Sequence, residues 1–334
     1  MTTEFDMTGG NTGHQQHIGF SGNTGHQQQP GFIGDGGSDS PFPPKPHPQP
    51  QARIKGLSKR EADDPNEIIV EVSSKAPVVI LFGAKTSGKT MTLIRLTQYL
   101  QQQGYSVEPD PIFRPAHDEN YEKMCRDFHR LCNDQYAAEG TDDMSFMLVH
   151  VLDRKGKPIC QLLEAPGEHY FDETNPLKPF PTYINKFLQL QNKRIWLIIV
   201  EKDWKKVKKD REKEDPRIRQ AYAQRIQNLP PQVRRDKTIF VCHKVDLQNH
   251  LFLSNGKPNK RQLFESIEEQ YKGIFTPYKN LNPITRWFMK YKFQFVPFST
   301  GTFNEVASGQ QVYTPGEDMY PRELWKAILK TVKG

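Results

Sequence analysis

The stretch Val78-Val79-Ile80-Leu81-Phe82-Gly83-Ala84-Lys85-Thr86-Ser87-Gly88-Lys89-Thr90 leads five apolar residues straight into the spacing GxxxxGK[ST]. An apolar run of this length bounded by glycine predicts a buried strand. Behind the loop, Leu93, Leu96 and Leu100, with Ile94 beside them, repeat at helical spacing. Strand, glycine loop and helix in that order form the context in which the spacing binds phosphate. Glycines let backbone N–H groups surround the phosphates, and the helix amino terminus adds partial positive charge. Gly83, Ala84, Lys85, Thr86, Ser87, Gly88, Lys89 and Thr90 are therefore the predicted phosphate site. Lys89 is placed to reach the β- and γ-phosphates, and the Thr90 hydroxyl to ligate Mg²⁺. A loop of this kind, read alone, does not choose between ATP and GTP.

Outward from this loop the chain alternates strand and helix patterns. Phe146 to Leu152 and Pro158 to Leu163 flank the turn-rich Asp153-Arg154-Lys155-Gly156-Lys157 and predict a hairpin. Arg194 to Val200, Thr238 to Cys242 and Lys292 to Pro297 predict further buried strands, and Glu67 to Val72 (EIIVEV) an edge strand. Helices are predicted near 115–138, 216–229, 260–272 and 321–332. Such alternation predicts an α/β fold with a mainly parallel sheet and helices on both faces.

Residues 1–65 read as a disordered tail ahead of a folded domain at 66–334. Gly10 to Phe20 recurs at an offset of twelve as Gly22 to Phe32, and two Gly/Gln/His copies cannot stack into a core. Pro41 to Pro50 (PFPPKPHPQP) favours extended polyproline conformations, as a spacer or as a ligand for an aromatic groove. The tail holds seven acids against five bases, so of the overall +7 the remainder carries about +9. That excess can favour anionic partners, although a solvated mixed-charge surface is the favoured explanation. Two segments stand out: Glu201 to Asp215, of mixed sign, and Arg286 to Phe293 (RWFMKYKF), which interleaves bases with aromatics. The second has the composition of a base-stacking surface, but its position ahead of a strand favours packing, and a nucleic-acid role is the least favoured.

Cys125, Cys132, Cys160 and Cys242 form no CxxC pair. Free thiols fit a reducing cytoplasm, and the start MTTEFDMTGG has neither the basic nor the apolar region of a secretory leader. The longest apolar runs are far too short for a transmembrane segment.

Three later motifs carry a resemblance. Glu164-Ala165-Pro166-Gly167 ends the hairpin, His243-Lys244-Val245-Asp246 ends a buried strand, and Phe298-Ser299-Thr300-Gly301 follows the last strand. In this order they resemble DxxG, NKxD and the SAK-type loop of a Ras-like GTPase of the translation-factor-related P-loop class, over roughly residues 76–334. The resemblance implies a Ras-like G domain enlarged by insertions at about 103–140, 201–236 and 247–290. It implies that Glu164, in place of Asp, acts at magnesium, and that Gly167 senses the γ-phosphate. Asp246 is implied to read guanine through N1 and N2 while the Lys244 stem packs over the base, with His243 in place of the bracing Asn. Ser299 and Thr300 are implied at the guanine edge, and Thr141 as the switch threonine contacting magnesium and γ-phosphate. Glu168 stands where the family carries its water-orienting glutamine, and Lys85 where relatives have a second glycine.

The resemblance thus implies GTP/GDP and Mg²⁺ as ligands, a molecular switch, slow intrinsic GTP hydrolysis, and a protein effector or activating partner. An ATP-using P-loop enzyme (kinase or ATPase) and a non-hydrolysing GTP-bound scaffold stay open at this point.

Overall fold

The computed structural model describes residues 56–134, 146–201, 216–248, 253–254, 257–287, 290–305 and 311–334. The repeat and the proline-rich run of the tail lie outside these residues, as does most of the charged segment after Glu201.

A seven-stranded sheet organises the domain. Its strands are β1 (Val78–Phe82), β2 (Ser106–Pro109), β3 (Met147–Leu152), β4 (Pro158–Glu164), β5 (Arg194–Glu201), β6 (Lys237–His243) and β7 (Gln294–Pro297). They lie in the order β2-β3-β4-β1-β5-β6-β7. From β4 to β7 every pairing is parallel, whereas β2, β3 and β4 pair antiparallel. Parallel strands covered on both faces read as continuous apolar runs, which is why VVILF is buried at all five positions. Above and below, helices cover both faces. On one, α2 (Lys89–Gln102) packs against the carboxy-terminal helix Met319–Lys333. On the other, Phe82 meets Tyr170 and Tyr222 at centroid distances of 4.9 and 6.2 Å, drawing helix Pro216–Gln227 over the sheet. This is an α/β architecture with a mainly parallel sheet, and the glycine-rich loop after β1 lies at the carboxyl end of the central strand, where such sheets open a crevice.

Regular structure precedes the expected edge strand. Helix α1 (Lys59–Asp63) starts at a capping box between Ser58 and Glu61. Glu61 in turn accepts from the buried Arg114 at 2.6 Å, and Arg114 also reaches Asp118 Oδ2 and the Ile69 carbonyl, both at 2.9 Å. Burial pulls the Glu61 carboxyl up, but Arg114 and Ser58 outweigh it and leave the group below its ordinary range. Glu67 to Val72 is not a strand. Its alternation leaves Ile68 buried and Ile69 62% exposed, and the Glu71 N–H donates to the Phe113 carbonyl at 3.0 Å without a ladder forming.

The insertions implied by the resemblance contain ordered elements. The first holds the added edge strand β2 and α3 (Glu119–Asn133), whose buried Tyr121, Met124, Phe128 and Leu131 follow helical spacing. The second holds Pro216–Gln227 and Pro231–Arg235, and the third holds Lys260–Gln270. None of the four cysteines, all among the described residues, is in a disulfide. Among the described residues no helix is long and apolar enough to cross a membrane.

Candidate functional site

Three loops converge at the carboxyl end of the sheet. The first leaves β1 at Gly83, where a Cβ would lie 2.4 Å from Ser87 Oγ, so the loop doubles back closely enough that a side chain there would displace the Ser87 hydroxyl. Gly88 caps α2 in the left-handed conformation (φ 86°), which glycine adopts without steric cost. Thr86 shares that region at φ 61°. Ser87 Oγ is buried without a hydrogen-bond partner, a polar atom aimed into the loop with its bonding capacity unspent.

Lys89 opens α2 and is buried. Its Nζ donates to the Ala84 carbonyl at 3.1 Å, curling over the loop it follows. Burial holds this amine below its ordinary range, against the pull of Glu164 and Glu168. Beside it, Thr90 Oγ1 donates to Glu164 Oε1 at 3.0 Å, and the Phe146 N–H donates to Glu164 Oε2 at 2.8 Å. Burial lifts the Glu164 carboxyl above its ordinary range, with Lys89 acting against it. The Thr90 hydroxyl and the Glu164 carboxylate therefore face one another, at the places the resemblance gives to magnesium.

Gly167 starts the short helix Gly167–Tyr170 and lies flat against the phosphate loop. A Cβ there would fall 2.3 Å from the Lys85 nitrogen and 2.5 Å from the Ala84 carbonyl carbon. Glu168 is half-buried, and Lys85 and Thr86 are exposed. His169 is held by the Tyr183 hydroxyl at 2.8 Å. Thr141 lies outside the described residues, so its switch role stays an expectation.

The second loop follows β6. His243 is buried against Gly88, and a Cβ on that glycine would sit 2.6 Å from its Cε1. Neither ring nitrogen has a partner, and the ring packs on Phe298 at a centroid distance of 5.6 Å. The ring thus meets Gly88 by shape and not by hydrogen bonding. Lys244 turns the chain at φ 57° and pairs with Glu201 Oε2 at 2.8 Å. Asp246 follows at intermediate exposure. The third loop is stitched to the second: the Phe298 N–H donates to the Cys242 carbonyl at 2.7 Å, and the Val245 N–H to the Phe298 carbonyl at 3.3 Å. Ser299 and Thr300 are buried behind this seam, and the Thr300 carbonyl accepts from Tyr313 Oη at 2.8 Å.

The set fits a triphosphate with magnesium. An orphaned hydroxyl, a lysine and helix-terminal N–H groups face one loop, and a hydroxyl–carboxylate pair stands next to it. Among the described residues no group of three or more His, Cys, Asp or Glu could hold a metal unaided. Magnesium asks for less, since it keeps waters and takes phosphate oxygens beside one or two protein groups.

Sequence reasoning missed three contacts: His243 on Gly88, the Phe146 N–H on Glu164, and Glu201 on Lys244. A histidine in the bracing position was visible, but nothing local says that its ring meets a glycine in another loop.

Two histidines give the site an acid limit. Burial pushes His169 down to about 4 and His243 down to about 3. Both stay neutral in the folded chain while the unfolded chain takes up protons below about 6.5. Their contribution is intact above that pH and is lost as pH falls toward 4, by roughly 2 kcal/mol per histidine at pH 5. Glu164 acts in the opposite sense, since a raised folded pKa favours the folded state as pH falls. The expected result is a melting midpoint that drops between pH 7 and 5, with a shallower drop in His243→Asn. An identical slope in that variant removes His243 from the account.

No protein-family profile matches the chain, and no curated protein matches it. Some solved structures are similar at low identity. A Plasmodium falciparum protein described as nucleolar GTP-binding protein 1 is 11% identical, with a TM-score of 0.38, over 79% of this chain and 90% of that one. The bacterial selenocysteine-specific elongation factor EF-Sec is 11% identical, with a TM-score of 0.31, over 78% of this chain and 29% of that one. The GTPase-like domain of S. cerevisiae Ski7, bound to GDP and inorganic phosphate, is 12% identical, with a TM-score of 0.32, over 81% of this chain and 52% of that one. These superpositions are loose, and the fold of this chain rests on its own strand order and phosphate loop.

Proposed function

We propose that this chain binds GTP with Mg²⁺ and acts as a slowly hydrolysing switch whose partner surface depends on the bound nucleotide. The observation that carries this reading is the contact of the His243 ring with Gly88. It ties the loop Lys244–Asp246, and through Phe298 the loop Ser299–Thr300, to the phosphate loop. A nucleotide seated by its phosphates on Gly83–Thr90 then presents its base to Asp246. That carboxylate accepts two hydrogen bonds from guanine N1 and N2, which adenine cannot donate. Lys244, its amine held by Glu201, offers its stem to the base.

When bound, Mg²⁺ supplies charge neutralisation across the β- and γ-phosphates. Thr90 and Glu164 are the residues to hold it or its waters, Lys89 holds the same phosphates, and the Gly167 N–H lies where a γ-phosphate is sensed. Around Thr141 and Gly167, loops ordered by the triphosphate relax after cleavage. With Glu168 in the water-orienting position, a second negative charge faces the reaction, so hydrolysis is slow without a partner. Single-turnover cleavage faster than about 1 s⁻¹ by the purified chain overturns that part.

The direct test is a thermal-shift panel of GTP, GDP and ATP with Mg²⁺, since a ligand of the folded state raises its midpoint. GTP and GDP are expected to stabilise and ATP not. In Asp246→Asn the preference for guanine is expected to fall roughly ten- to a hundredfold, read by competition binding. An unchanged preference removes Asp246 as the base reader, whereas stabilisation by ATP and not by GTP in the panel makes an ATP-using enzyme the better account. Glu168 beside Lys89 also favours a second reading, a scaffold that retains GTP uncleaved. Stoichiometric GTP persisting in purified protein with Mg²⁺ present decides for it.

A further inference from the structure

Ahead of β7 the described residues Asn280 to Trp287 and Lys290 belong to a tip that the nucleotide site does not use. Its base is firmly built. The Asn280 N–H donates to the Lys290 carbonyl at 2.9 Å, the Lys292 N–H donates to the Tyr278 carbonyl at 2.8 Å, and Lys279 and Tyr291 form an antiparallel bridge. Tyr291 Oη donates to Glu268 at 2.6 Å. Beneath them Phe264 stacks on Phe275 at 4.6 Å, and Phe275 meets Phe293 at 4.9 Å. From this footing the tip holds Leu281, Ile284 and Trp287 at 83, 77 and 87% exposure. Three of the largest apolar side chains held in water within seven residues mark a contact surface.

The charge around the tip says what it contacts. Between Glu269 and Glu305 the sequence has no acid, but it has Lys272, Lys279, Arg286, Lys290 and Lys292. Of these, Lys279, Lys290 and Lys292 are exposed at the base of the tip. An apolar crown above a cationic collar matches the layers of an anionic bilayer, with acyl chains below charged headgroups and tryptophan at the boundary. Nucleic acid matches it less well: Leu281 and Ile284 offer no ring to stack on a base, and stacking is what such proteins supply beside charge.

We propose that the tip is a peripheral membrane anchor that inserts Leu281, Ile284 and Trp287 into the interface of an anionic lipid bilayer. The tip joins β7 at its amino end, whereas Ser299 and Thr300 leave its carboxyl end. An anchored molecule therefore keeps the mouth of the nucleotide site at the opposite end of the strands from the lipid.

The test is flotation of the full chain with vesicles of phosphatidylcholine alone or containing about 30% phosphatidylserine. Flotation is expected with the anionic vesicles only. The variant Leu281→Ser/Ile284→Ser/Trp287→Ser is expected to partition at least roughly tenfold less, with an unchanged melting midpoint because all three side chains are exposed. Lys279→Gln/Lys290→Gln/Lys292→Gln is expected to lose a similar factor and most of its salt dependence. Brominated acyl chains should quench wild-type tryptophan fluorescence and not that of Trp287→Phe, which reports on the tip even if the serine variant folds poorly. Absence of flotation with anionic vesicles, equal flotation of the serine variant, or absence of quenching overturns the proposal. So does binding of single-stranded RNA that depends on Trp287 in a chain that ignores vesicles.

Discussion

Lys89→Met is expected to abolish nucleotide-induced stabilisation while leaving a folded protein. The methionine keeps most of the apolar stem, so the packing at the head of α2 survives. The lost ammonium is another matter. Truncating one partner of a buried, hydrogen-bonded charge pair costs about 2–5 kcal/mol, and the ammonium is the charge that meets the phosphates. Affinity for GTP should fall on the order of a thousandfold. A ligand at a hundred times its dissociation constant stabilises by about 2.7 kcal/mol, and that shift disappears when affinity drops so far. The nucleotide-free protein is affected less. Burial already raises the Glu164 carboxyl, and loss of Lys89 removes a charge that acts against that rise, so the variant moves this group further toward its neutral form. Midpoints measured with and without GTP check both halves. A nucleotide shift that persists in Lys89→Met overturns the assignment of the phosphate site.

Gly167→Ala is expected to destabilise the nucleotide-free protein and to blunt its discrimination between GTP and GDP. The added Cβ would meet the Lys85 nitrogen at 2.3 Å and the Ala84 carbonyl oxygen at 2.7 Å. Both are backbone atoms that cannot rotate aside. The short helix Gly167–Tyr170 must part from the loop, although the His169 bond to Tyr183 and the packing of Tyr170 on Phe82 hold it in place. Overpacking of this kind costs about 1–3 kcal/mol, or several degrees in midpoint for a domain of this size. A γ-phosphate sensed by the Gly167 N–H needs that same approach, so affinity for a GTP analogue should fall more than affinity for GDP. Equal losses for the two nucleotides separate Gly167 from sensing and leave it a packing glycine.

Elements buried on both faces were legible because burial writes itself as uninterrupted apolar runs: VVILF, RIWLIIV and TIFVC all became central strands. The hairpin announced itself through Asp153 to Lys157, and the phosphate loop through its glycines. Short or half-exposed elements were not legible. Ser106–Pro109 holds one buried residue, Val107, too little pattern for a strand. The hairpin Gly301–Glu305 with Gln311–Pro315 turns mostly polar residues outward, and tertiary contact with Thr300 through Tyr313 holds it. Conversely EIIVEV has the pattern of a strand but forms no ladder among the described residues, only single bonds such as that of the Glu71 N–H to the Phe113 carbonyl. The candidate site shows the same divide. Its motifs are local and could be read in order, whereas the wedge of His243 under Gly88 joins residues far apart in the chain.

Both outer strands of the sheet are alike in a way that bears on how the chain survives synthesis. Ser106–Pro109 and Gln294–Pro297 are four residues long, and each ends in proline. A proline lacks the N–H that an incoming strand needs, and four residues give that strand little to grip. The apolar strands between them are the segments most prone to join neighbouring molecules into fibrous aggregates if left open. With a short, proline-ended strand on either flank, the sheet is sealed against growth by addition of strands from other copies, and crowded nascent chains have fewer ways to stick together.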